Sequence, residues 1–98
     1  MRYVKIEWNH NFNNQPVNGY PKVYFLEIGM DGYDTKKLEI YENGSICFAY
    51  DDIEQGTFPS EKPFGKIDEY IFSDKDESMT AHYISEEEFY IEWNARIK

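Results

Sequence analysis

The chain has 98 residues, 19 Asp+Glu against 10 Lys+Arg, and a formal net charge of -9. This length suits a single domain spanning residues 1–98, and the charge argues against a nucleic-acid binder, which needs a basic stripe to meet phosphate. No run of about 18 apolar residues occurs, so no helix is expected to cross a membrane. The opening Met1-Arg2-Tyr3-Val4-Lys5-Ile6-Glu7 lacks a long apolar stretch, so no signal peptide is expected. A single cysteine, Cys47, rules out an internal disulfide and fits a reducing, cytoplasmic setting.

Nine Tyr, seven Phe and two Trp stand out in so short a chain. Each ring removes about 150–250 Å² from water when buried. Such rings either build an aromatic β core or, in part, stay exposed as anchors for a partner.

From Tyr3 to Trp8, Val4, Ile6 and Trp8 alternate with Tyr3, Lys5 and Glu7. That period marks a strand with one buried face. Asn9 to Gly19 is rich in Asn, with Gln15, Pro16 and Gly19, and reads as a loop. Lys22 to Ile28 is apolar on both faces, as expected for a central strand. Gly29-Met30-Asp31-Gly32 supplies a turn, and Tyr33 to Tyr41 a third strand. There Leu38 and Ile40 oppose Lys37, Glu39 and Tyr41. Asn43-Gly44 then signals a type I′ hairpin into a fourth strand, Ser45 to Tyr50. Asp51 to Gly65 reads as a long irregular connection. Ile67, Tyr70 and Ile71 favour a short helical turn within Lys66 to Phe72. Ser73 to Ser78 is a charged turn and Met79 to Ile84 a fifth strand.

The chain closes with a helix. Ser85 is its N-cap and Glu88 completes a capping box, with Ile84 and Phe89 as a hydrophobic staple. Phe89, Trp93 and Ile97 recur at helical spacing and should face the sheet. The expected fold is α+β: an antiparallel sheet of about five strands with the C-terminal helix packed on one face.

No motif carries a recognisable reaction. Cys47, with His10 or His82, is the one Cys-His combination available. A mid-strand thiol beside a tight hairpin is more often buried and inert, which is the expectation here. Asp74-Lys75-Asp76-Glu77-Ser78 echoes a calcium loop, but Met79 replaces the required sixth-position Gly and Ser85 the twelfth-position Glu. No catalytic residue, cofactor or metal is expected.

Charge is distributed unevenly. Residues 1–50 sum to -1 and residues 51–98 to -8. Asp51, Asp52, Glu54, Asp68, Glu69, Asp74, Asp76 and Glu77 supply much of that field. Such a surface either keeps the protein soluble or steers a basic partner. Phe58 and Phe64, in the connection between these acids, either serve as apolar anchors inside a charged rim or fold back onto the core.

Three stretches resemble a small bacterial family, domain of unknown function 6881. They are Tyr3-Val4-Lys5-Ile6-Glu7-Trp8-Asn9-His10 with Pro16 following; Asp31-Gly32-Tyr33 with Lys37-Leu38-Glu39-Ile40-Tyr41 closing on Asn43-Gly44; and Ile84-Ser85-Glu86-Glu87-Glu88-Phe89 with Trp93 beyond. The resemblance implies a shared fold and carries no established reaction. By analogy with small acidic immunity proteins, the expected function is a non-enzymatic, cytoplasmic protein-binding domain that neutralises a basic toxin domain by occlusion and charge complementarity. A regulatory or interaction module with another protein partner is the alternative.

Overall fold

A computed structural model describes the backbone of residues 1–12, 15–16, 20–75 and 77–97, and the side chains of all these except 10–12, 15 and 16. Among the described residues there are eight strands and one α-helix: β1 (Arg2–Phe12), β2 (Gln15–Pro16), β3 (Pro21–Ile28), β4 (Asp34–Tyr41), β5 (Ile46–Tyr50), β6 (Ile53–Gln55), β7 (Phe72–Ser73), β8 (Glu77–Ile84) and α1 (Glu86–Arg96). A single 3-10 turn, Ile67–Tyr70, precedes β7. Seven strands form the sheet in the order β6-β5-β4-β3-β1-β8-β7, and β2 pairs back onto the far end of β1. All these strand pairs are antiparallel.

Seven strands replace the expected five because short pairings hid in segments read as turns. Part of the Asn-rich stretch extends β1 and returns as β2, so it is not all loop. The irregular connection opens with β6, and the charged turn is flanked by β7 and β8. Two- and three-residue strands carry no readable alternation, so only tertiary pairing reveals them.

The Asn43-Gly44 hairpin forms, but not with a type I′ turn. Asp51 is the one non-glycine residue with positive φ among those described, so Asn43 does not adopt the conformation that turn needs. Gly44 has φ 86°, its N–H donates to the Tyr41 carbonyl at 2.9 Å, and Tyr41 N–H donates to the Ser45 carbonyl. This is the three-residue alternative, a turn closed by a glycine in the left-handed region. Asn43 Oδ1 holds it by accepting from Ser45 N–H at 3.0 Å and Ser45 Oγ at 2.7 Å.

The helix starts at the expected N-cap, with Glu88 N–H donating to Ser85 Oγ at 3.1 Å. Phe89 and Trp93 are buried against Tyr3, Phe25 and Leu38. Tyr3 is thus buried under the helix, so β1 is covered on both faces rather than one. Glu27 is buried on the same side. Its carboxylate accepts from Thr35 Oγ1 at 2.6 Å, from the Tyr90 hydroxyl and from Lys36 Nζ at 3.2 Å. Burial alone would raise its pKa, but these three donors together outweigh it and hold the group below its ordinary value.

On the opposite face, Val4, Ile6, Leu26, Ile28 and Ala81 form a second core. Phe64 completes it from residues 56–71, which run as a strap from the β6 edge of the sheet to the β7 edge. Both sheet faces therefore carry a core, one under a helix and one under a strap.

Candidate functional site

The strap has a purchase on the sheet at each step. Thr57 Oγ1 donates to Glu39 at 2.9 Å, and Lys37 Nζ donates to the Phe58 carbonyl at 3.3 Å. Ser60 clamps Asp34, its N–H donating to Oδ1 at 3.0 Å and its hydroxyl to Oδ2 at 2.8 Å. Phe64 N–H donates to the Gly32 carbonyl at 2.8 Å. The Tyr70 hydroxyl donates to the Phe64 carbonyl at 2.8 Å, and the two rings stack with centroids 4.5 Å apart and planes 2° from parallel. Gly56, at φ 80°, starts the strap against Cys47, where a Cβ would lie 2.5 Å from Sγ. Only glycine fits both that backbone angle and that approach.

A pocket of about 520 Å³ opens between strap and sheet. Its floor is Ile6, Tyr24, Leu26 and Met79, and the Phe64–Tyr70 stack closes one side. Asp34, Lys37, Glu61 and Lys62 stand around it, with Phe58. Burial, with Glu39 nearby, pushes the Tyr24 phenol up to about 12. Burial also raises Tyr70, helped by Glu69 and Asp34. Both phenols are therefore neutral at physiological pH, so the charged groups that line the pocket are Asp34, Lys37, Glu61 and Lys62.

The structure separates the acidic residues that the sequence grouped. Asp51 and Asp52 form the exposed turn between β5 and β6, and Glu54 is exposed on β6, at one edge of the sheet. Asp74 follows β7 at the other edge, with five strands between β6 and β7, and Glu77 starts the adjoining β8. At about 4.8 Å per strand the two edges are roughly 29 Å apart. Asp68 and Glu69 are exposed on the 3-10 turn. Several of these carboxylates are already engaged: Glu69 accepts from Lys66 N–H at 3.0 Å, Asp74 from Glu77 N–H at 3.1 Å, and half-buried Glu77 from Trp8 Nε1 at 3.3 Å. Asp76 lies outside the described residues.

The two strap phenylalanines part ways. Phe64 is 5% exposed and belongs to the core, so it is no surface anchor: its stack on Tyr70 and its bond to Gly32 draw it inward. Phe58 is 57% exposed. Cys47 is half-buried rather than buried, because its face of β5 is roofed by Gly56, which has no side chain. Cys47 and His82 lie on opposite faces of the sheet with three strands between them, so they form no catalytic pair. The His10 side chain is outside those described. Among the described residues no group of three or more His, Cys, Asp and Glu is placed to hold a metal ion, and no helix is long and apolar enough to cross a membrane.

Sequence reading missed Asp34, Lys37, Ser60, Tyr24 and Tyr70 as site residues. The one local signal was the alternation that set Lys37, Glu39 and Tyr41 on a common face. The Asp34–Ser60 clamp joins positions 26 residues apart and leaves no periodic trace.

The family model described as Domain of unknown function (DUF6881) matches residues 2–98. The chain belongs to that family. Its match spans the strap and pocket as well as the two ends and the central hairpin. No match was found among curated proteins or among solved structures.

Proposed function

We propose that this member of the DUF6881 family is a protein-binding domain of the immunity type, which occludes a basic toxin domain with the strap side of its sheet. The observation that carries this reading is the presentation of Phe58. Its ring is more than half exposed, yet its backbone is held by Lys37 at its own carbonyl, with Thr57 tied to Glu39 before it and Ser60 to Asp34 after it. An exposed ring on a fixed backbone loses little entropy on binding, which suits it to an anchor.

Acidic residues flank that anchor along the chain. Asp51, Asp52 and Glu54 precede it, Glu61 follows it, and all four are exposed. Such a rim raises the association rate with a basic surface and contributes less to holding the complex once formed. The proposed interface is therefore the β6 edge and the first half of the strap. Asp68, Glu69, Asp74 and Glu77, toward the far edge, contribute through the long-range field of the molecule.

Capture of the partner from native cells, followed by stopped-flow binding across ionic strength, tests the reading. Replacing Asp51, Asp52 and Glu54 by the amides should slow association and flatten its salt dependence. Phe58→Ala should speed dissociation, at a cost of about 2 kcal/mol or more if the ring is a hot spot. Association that ignores both salt and these changes would defeat the proposal. A partner that halts growth when expressed alone, and not when co-expressed with this chain, supports immunity over a regulatory module.

A further inference from the structure

The pocket under the strap shares Phe58 and Glu61 with the proposed interface, but its floor of Ile6, Tyr24, Leu26 and Met79 and the Phe64–Tyr70 stack lie outside that interface. Its volume of about 520 Å³ falls within the range of small-molecule sites, about 300–1,000 Å³. The apolar part is aromatic on two sides, with Tyr24 on the floor and the Phe64–Tyr70 stack at the side. Flat rings prefer such walls through offset stacking and edge contacts.

The polar groups decide the sign of the ligand. Both Asp34 oxygens already accept from Ser60. Both Glu39 oxygens accept as well, one from the Tyr41 hydroxyl at 3.3 Å and the other from Thr57. The Tyr70 hydroxyl is committed to the Phe64 carbonyl. Lys37 differs. Its side chain is 15% exposed, its ammonium reaches the Phe58 carbonyl at 3.3 Å, and its other partner, Glu39, stands at 3.7 Å, beyond good hydrogen-bond distance. An ammonium has three N–H donors, so half-buried Lys37 keeps donor capacity toward the pocket, while Glu61, the other lining carboxylate, is exposed to water at the mouth.

We propose that the pocket binds a small aromatic acid, with its carboxylate taken by Lys37 and its ring against Tyr24 and the Phe64–Tyr70 pair. The net charge of -9 does not prevent this. Exposed charges beyond about 8 Å are screened at physiological salt, whereas the half-buried Lys37 ammonium acts on its ligand at contact distance. At the mouth, exposed Lys62 adds a second positive charge beside the exposed carboxylate of Glu61.

Three probes of one shape test the assignment: 2-naphthoate, neutral 2-naphthalenemethanol and the 2-naphthylmethylammonium ion. Each is titrated into the intact protein by calorimetry, with amide NMR shifts locating the site. The naphthoate should bind once per chain and about tenfold or more tighter than the alcohol, as a charge-assisted bond implies. The ammonium probe should bind weakest. Lys37→Met should erase the preference for the acid over the alcohol. Met79→Trp, which fills the floor from β8, should weaken all three and does not disturb the Lys37–Glu39 pair. Equal or tighter binding of the alcohol or the ammonium probe overturns the proposal. Failure of all three to bind, or binding indifferent to Met79→Trp, overturns it as well.

Discussion

Phe58 and Phe64 are the same residue type on the same strap, and replacing each by Ala should have opposite consequences. Phe64 is 5% exposed, stacked on Tyr70 and part of the core beneath the strap. A ring of this kind buries about 150–250 Å², worth roughly 4–6 kcal/mol at about 25 cal/mol per Å². That figure is an upper bound, because the unfolded chain already shields some of the surface. The adjoining pocket also lets water reach part of the vacated space, which avoids a dry void. The expected cost of Phe64→Ala is therefore about 3–4 kcal/mol, in the lower part of the usual range for such truncations. Phe58, 57% exposed, should cost less than about 1 kcal/mol. Urea unfolding followed by tryptophan fluorescence reads both, since Trp93 lies in the helix-side core. With a slope near 1 kcal/mol per molar for a small domain, the Phe64→Ala midpoint should fall by about 3–4 M. The Phe58→Ala midpoint should move by less than about 1 M. Equal shifts, or a Phe64→Ala midpoint near wild type, would refute the view that the strap is pinned by one ring and displays the other.

Three further outcomes follow from the geometry. Ser85→Ala should cost about 1 kcal/mol in the same urea assay, because the Glu88 N–H loses its acceptor. Glu27→Gln should cost about 1.5–3 kcal/mol at pH 7 through weaker bonds to Tyr90, Thr35 and Lys36. Since folding lowers the Glu27 pKa below 4.5, its contribution is full above that value and lost as pH falls through the folded pKa, so the gap between variant and wild type should narrow in acid. Gly56→Ala should destabilise the protein and raise the rate of Cys47 labelling by a thiol reagent, because the new Cβ meets Sγ at 2.5 Å and the strap must lift; unchanged labelling would contradict the roofing of Cys47 by Gly56.

Part of this protein is legible in its local chemistry alone. The Ser85 cap depends on a side chain and an N–H three residues away, and the turn after Tyr41 on a glycine that takes positive φ. The helix stripe and the alternation of β3 and β4 are short-period patterns, and they placed Phe89, Trp93, Leu38 and Lys37 on the faces they occupy. Tertiary structure decided the rest. Strands of two or three residues exist only through partners distant in sequence, so β2, β6 and β7 had no pattern to read. The fate of the two strap phenylalanines turned on Gly32, Asp34 and Tyr70, none of which is a sequence neighbour of Phe58 or Phe64. The acidic residues looked like one group because they share the second half of the chain, whereas sheet order sent them to opposite edges. Backbone preferences act over a turn or two of chain, while pockets and surfaces are made where distant segments meet, and only the packed structure brings those segments together.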